Sequence, residues 1–149
     1  MIEGVQGIDR LFRQVKQLAA DMKHVERPLR AAGTLMLGSI EKNFKAQGRP
    51  TKWEKLKTAT VSRRRKGRGK GKGQILIDTA RLKNSHAMTV NTDGVEVGTN
   101  VIDAPRHHFG YPGGTGRGRS KTPARPFVMF QEEDVRDIGE IFKRHIARN

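Results

Sequence analysis

Apolar residues recur at helical spacing three times along this chain. Ile8, Leu11, Phe12, Val15, Leu18, Ala19 and Met22 step by three and four, which predicts an amphipathic helix over residues 8–22. Leu29, Ala32, Leu35, Met36, Ile40 and Phe44 repeat the step after Pro28, a residue tolerated in a first helical turn and disruptive later. The break therefore falls near residues 25–27, and the second helix ends around Lys45, ahead of Gly48. The spacing is compatible with an antiparallel pair or with one bent helix. The third stripe is Val135, Ile138, Ile141, Phe142, His145 and Ile146, within residues 132–148. Glu132, Glu133 and Asp134 open that helix and Lys143, Arg144 and Arg148 close it, matching charge to the dipole at both ends.

Between the helices the period changes to two. Ala87-Met88-Thr89-Val90 and Gly94-Val95-Glu96-Val97 flank Asn91-Thr92-Asp93-Gly94, and Asp-Gly is a strong turn signal, so an antiparallel hairpin is expected. Upstream, residues 47–57 read as an ordered loop punctuated by Gly48 and Pro50 and pinned by Trp53 and Leu56. Thr58 is placed to cap a short helix running through Arg65. Ile75-Leu76-Ile77 is a short buried run, and Asp78 or Thr79 is placed to cap a single turn containing Leu82. Downstream, Pro123 and Pro126 fix two φ angles and push Ala124 and Arg125 toward extended geometry. The pentapeptide Pro123-Ala124-Arg125-Pro126-Phe127 is thus a stiff lead-in that delivers Phe127, first of the run Phe127-Val128-Met129-Phe130, to the core.

The expected fold is α+β: a small antiparallel sheet packed with N-terminal and C-terminal amphipathic helices, carrying long basic and Gly-rich loops. Residues 1–149 are expected to form one domain, with a flexible basic loop at 66–73 and a Gly-rich loop at 110–122. A chain of 149 residues is long enough to bury one modest core. Only 34% of it is hydrophobic and 17 residues are glycine, so much of the length belongs to loops. No apolar run reaches the length of a membrane span and no signal-peptide pattern opens the chain, which predicts a protein made and kept in cytoplasm without a membrane.

Cysteine is absent, which excludes disulfides, a thiolate nucleophile and sulfur-ligated zinc. Catalytic patterns also fail. Gly67 and Gly71 enclose three residues where a phosphate loop needs four, and Gly73 follows Lys72 where that loop has Ser or Thr. His86, His107, His108 and Asp103 lack the spacing of a metal set; a packing role is expected for a histidine there, and a plain helical position for His24 and His145. Asp78, Asp93, Glu96 and Asp103 are scattered singly, unlike the clustered carboxylates of a metal-dependent nuclease. No Gly-x-Ser-x-Gly elbow occurs. Neither an enzyme nor a cofactor is expected.

Charge is what remains. Thirty Lys and Arg against fifteen Asp and Glu give a net charge of +15. No acid lies between Lys55 and Ile77, where Arg63, Arg64, Arg65, Lys66, Arg68, Lys70 and Lys72 crowd together. These residues, with Arg117, Arg119 and Lys121 of the second loop, are the candidate contacts to partner proteins or DNA. Such a run neutralises phosphates without sequence preference, and its arginines can equally pair with carboxylates. Aromatic residues for stacking single-stranded bases are missing from it. A stand-alone nucleic-acid-binding protein using residues 63–72 is the alternative that charge alone supports.

The ordered motifs point elsewhere. Asn43-Phe44-x-x-Gln47-Gly48-x-Pro50, Trp53, Leu56 and Thr60 come first, then Ile77, Thr79 and Leu82. Val97-Gly98-Thr99, Ala104-x-x-His107-x-Phe109-Gly110 and Pro123-Ala124-Arg125-Pro126-Phe127 follow. In this order they resemble the phage virion morphogenesis or tail-completion family of contractile-tailed, Mu-like phages, over roughly residues 35–127. Two positions depart from its pattern: Ala80 stands where glycine usually follows the threonine, and Ile102-Asp103 replaces the usual tyrosine before Ala104. The resemblance implies a non-catalytic virion component of the neck or tail, added at the head-proximal end of the tail or at the head-to-tail joint. It implies a homo-oligomeric ring, expected to be sixfold, that meets connector and tail-tube or tail-terminator proteins and touches DNA in the channel without sequence preference. Asn43, Phe44, Trp53, Leu82, His107, Phe109, Gly110, Pro123, Arg125, Pro126 and Phe127 are then expected mainly to maintain the fold.

Overall fold

The computed structural model describes residues 24–66, 73–92, 94–117 and 120–148. The helix expected over residues 8–22 lies outside them, as do Arg68, Lys70, Lys72 and Arg119 and the side chains of Arg65 and Lys66. In chain order the elements are α1 (Glu26–Ala46), α2 (Thr58–Lys66), α3 (Arg81–Asn84), β1 (His86–Val90), β2 (Val95–Thr99), α4 (Ala104–Phe109) and α5 (Glu132–Ala147). The architecture is α+β. One antiparallel hairpin packs on α1, and α5 packs on α1 as well.

The long helix α1 is the frame. Pro28 sits in its first turn, as the sequence requires, and Ala32, Met36, Ile40 and Phe44 form its buried stripe. Two polar residues, Ser39 and Asn43, share that face and are fully buried. The helix stops where Gln47 turns left-handed (φ 58°) and the Gly48 N–H donates to the Asn43 carbonyl at 2.9 Å. Gly48 has φ 108°, and a Cβ there would come within 2.6 Å of Thr51 and Trp53 backbone atoms, so no other residue fits the turn without a shift.

The expected antiparallel hairpin forms, with Val90 opposite Val95 and Met88 opposite Val97. Asn91 N–H donates to the Gly94 carbonyl at 2.8 Å to close the turn. Burial alternates along both strands, as it does when one face packs and the other meets water.

Two expected caps are corrected. Thr58 is the first residue of α2; the Lys57 carbonyl opens the helix by accepting from Thr60 and Val61. At α3 the cap position is Ala80, left-handed at φ 61°, while Thr79 Oγ1 accepts weakly from the Arg81 N–H at 3.4 Å. Asp78 pairs with Arg64 at 3.7 Å instead of capping. The apolar stripe of α5 is also rotated. Asp134, which the sequence grouped with Glu132 and Glu133 as a dipole charge, is 2% exposed and faces α1. Its Oδ2 accepts from Ser39 Oγ at 2.6 Å and from the Gln131 N–H at 2.9 Å, one half of a capping box. With Asp134 turned inward, Val135 lies about 100° around the helix and points to solvent.

The core gathers at one end of α1. Phe44, Trp53 and Phe127 pack with centroids 5.6 Å apart, edge-on along Phe44–Trp53 and tilted along Phe44–Phe127, and His86 and His108 meet Phe127 edge-to-face at 5.5 and 5.0 Å. Ile40, Ile75, Leu76, Leu82 and Ala104 close around them. The proline-braced segment does deliver Phe127 to the centre, where it is 2% exposed.

Candidate functional site

The segment 123–127 is clamped on both sides. Trp53 Nε1 donates to the Pro126 carbonyl at 3.0 Å, and Asn43 Nδ2 donates to the Phe127 carbonyl at 2.9 Å. From α4, the His107 carbonyl accepts the Arg125 N–H at 2.9 Å, and His108 Nδ1 faces the Phe127 N–H at 3.4 Å. Gly110 makes this approach feasible: at φ 81°, a Cβ would stand 2.8 Å from the Ala124 nitrogen. Helix α4 itself was not apparent in the apolar periodicity. Pro105 starts it and Gly110 ends it, so punctuation defines it.

Most of the motif residues thus build the core and its clamps. Phe109 does not. Its ring is 77% exposed, resting against His108 at 4.6 Å, and neighbouring Ile102 is 90% exposed. Together with Val101, Pro105 and Val128 they border an apolar depression of about 410 Å³.

A polar hub that the sequence did not reveal ties the frame together. Arg49 donates through Nε to Asn43 Oδ1 at 2.8 Å and through Nη2 to Ser39 Oγ at 2.8 Å, and it pairs with Glu133 at 2.6 Å. Gln131 Nε2 returns a bond to the Arg49 carbonyl at 3.1 Å. A sequence signal existed only in hindsight: Ser39 and Asn43 sit at helical spacing within an otherwise apolar stripe.

The candidate contact residues divide. Arg63 is exposed on α2, and Arg117 and Lys121 are exposed in the Gly-rich loop. Arg64 is held: Nη1 donates to the Gln74 carbonyl at 2.8 Å, and its side chain is 16% exposed beside Asp78. The base of the Gly-rich loop is closed by Tyr111 and Thr122, each N–H donating to the other's carbonyl at 2.8 Å. Arg106 braces it, with Nε to Thr122 Oγ1 at 3.1 Å and its guanidinium 4.9 Å above the Tyr111 ring. Closure of this base brings Lys121 toward α2.

Between them lies a cleft of about 280 Å³. Its walls are Glu54 to Lys57 on one side, Arg63 and Arg64 on another, and residues 120–123 on a third, with His107 and Arg125 also lining it. Arg125 is 6% exposed. Burial pushes its pKa down, Arg64 adds to the effect and Glu54 opposes it, although a guanidinium stays charged throughout. Burial likewise holds His107 below its usual value, opposed by Asp103 and reinforced by Arg125, Arg106 and Arg64. Each cation therefore disfavours the next, and the cleft is a region of positive potential.

The described histidines and carboxylates nowhere gather in groups of three that could hold a metal ion. Among the described residues no helix is long and apolar enough to cross a membrane. What is distinctive is a motif-built core with a cationic cleft beside it, and comparison with known families gives it a context. A family model, that of the phage virion morphogenesis family, matches residues 6–147. The chain belongs to that family. The matched span takes in α1 through α5, including the clamps around the proline-braced segment and the cationic cleft. A phage virion morphogenesis protein has a structural part in building the virion, and this chain is virion-associated in that sense. Neither the curated proteins nor the solved structures give a match to the chain.

Proposed function

We propose that this protein is a structural subunit of the phage neck or tail terminus, completing the tail or joining head to tail as a ring of subunits and without catalytic activity. The observation that carries the reading is the family match over residues 6–147, taken with the use to which the motifs are put. Asn43, Trp53, His107 and Gly110 are spent on holding Phe127 and its lead-in, leaving the cationic cleft and the exposed Phe109 and Ile102 as surface for neighbours. The exposed basic side chains Arg63, Arg117 and Lys121 are available on this frame, suited to docking on connector or tail proteins.

Complementation tests the proposal. A phage lacking this gene is expected to accumulate filled heads and separate tails, visible by negative-stain microscopy, with joining restored by the purified protein. Normal virions without the protein would overturn it. So would tight duplex binding by the isolated protein, abolished by neutralising residues 63–72, with no association to tails or connectors.

A further inference from the structure

We propose that the cleft between residues 54–57, α2 and the segment 120–125 receives an acidic side chain of a partner protein, whose carboxylate pairs with Arg125. The inference rests on the neck reading and names the chemistry of one of its contacts.

Arg125 is the decisive residue. Its Nε and Nη2 both donate to one acceptor, the Glu54 carbonyl, at 3.2 and 2.9 Å. Nη1 makes no hydrogen bond with the described residues, and among them no carboxylate lies within ion-pair distance of the guanidinium. The Glu54 side chain is exposed and acts on it only at longer range. A buried charge left with a neutral carbonyl is costly, and the cost falls when a carboxylate completes the pair. Holding a single carbonyl leaves part of the five-donor fork unused, and a planar two-oxygen anion is the partner that the fork matches best.

The shape of the site separates protein from DNA. Duplex phosphates lie along a convex ribbon and meet exposed cations, while Arg125, a residue only 6% exposed that lines a 280 Å³ cleft, is a poor match for them. An aspartate or glutamate side chain projects from its backbone and can enter. The mouth carries Lys55, Lys57, Arg63 and Lys121, all exposed, which favours an acidic segment over a lone carboxylate. Among the described residues lining the cleft Glu54 is the one acid, and it would repel an incoming carboxylate, so its removal has a predictable sign.

The test uses the full-length protein and two fluorescein-labelled probes at physiological salt: a short peptide of glutamate and aspartate, and a random-sequence DNA duplex. Anisotropy is expected to show the peptide weakened about tenfold by Arg125→Gln, the range for loss of one charge-assisted pair, and only partly by Arg125→Lys. Glu54→Gln is expected to tighten it. Arg136→Gln, which removes an exposed cation from α5, is expected to change it less than twofold, a margin expected of one surface charge. Duplex binding is expected to be indifferent to Arg125. Because Arg125→Gln also frees the Glu54 carbonyl, the exposed-mouth variant Lys55→Glu with Lys121→Glu provides a second reading, with loss of peptide binding expected. Peptide affinity unmoved by these changes, or duplex binding as sensitive to Arg125 as peptide binding, would overturn the proposal. If complementation succeeds with the mouth variant, the cleft is refuted while the neck reading stands; if the wild type fails to complement, the neck reading is refuted.

Discussion

Replacing Ala80 with glycine should stabilise this protein, the reverse of what the substitution normally does. Ala80 holds φ 61° and ψ 5°, a left-handed conformation in which the Cβ crowds the following carbonyl. That crowding costs about 1–2 kcal/mol for an L-residue. Glycine removes it, while raising the entropy of the unfolded chain by an amount worth roughly 0.5–1 kcal/mol. The net expectation is a gain of about 0.5–1 kcal/mol, or roughly 2–3 °C in Tm for a chain of this size. The bond that Ala80 contributes to α3 is kept, because its carbonyl accepts from the Asn84 N–H at 3.0 Å. The chain has a single tryptophan, and Trp53 is buried against Phe44, so its fluorescence reports urea unfolding directly. Ala124→Gly is the control: that residue is exposed and not left-handed, and glycine there should destabilise by about 0.5–1 kcal/mol. Equal destabilisation by both variants would refute the reasoning, as would a stabilising Ala80→Val.

Asn43→Ala strands the Phe127 carbonyl and Arg49 Nε in a site that is 0% exposed, so a loss of about 2–4 kcal/mol is expected in the same urea assay. Gly110→Ala meets both a left-handed φ and the Ala124 backbone, and should cost at least about 1–2 kcal/mol and raise proteolysis within residues 110–122. Burial lowers the pKa of His86, His107 and His108, so the folded state resists protons that the unfolded chain accepts. Stability is therefore complete above about pH 6.5 and declines as pH falls toward the folded values, by up to about 1.4 kcal/mol per unit for each group. His86→Phe, which keeps a ring between Phe44 and Phe127, should flatten that decline in urea melts taken across pH; an unchanged slope would count against it.

Local rules account for most of the described elements, α4 excepted. Period 3.6 marked α1 and α5, period two with an Asp-Gly signal marked the hairpin, and two prolines predicted the stiff approach of Phe127. The motif order carried the family as well. What no window of sequence decided was which polar groups would be buried, because that depends on elements distant along the chain. Ser39 meets Asp134 across 95 residues, and Arg49 joins Ser39 to Glu133. The resemblance placed Phe109 among the residues that maintain the fold, yet α4 ends so that His108 packs inward and Phe109 turns to solvent. The cationic residues were visible as two separate runs; only the closure of Tyr111 on Thr122 and the bonding of Arg125 to the Glu54 carbonyl set Lys121, Arg63 and a buried Arg125 around one cleft. Composition determines charge and local conformation, whereas desolvation and pairing are properties of the packed chain.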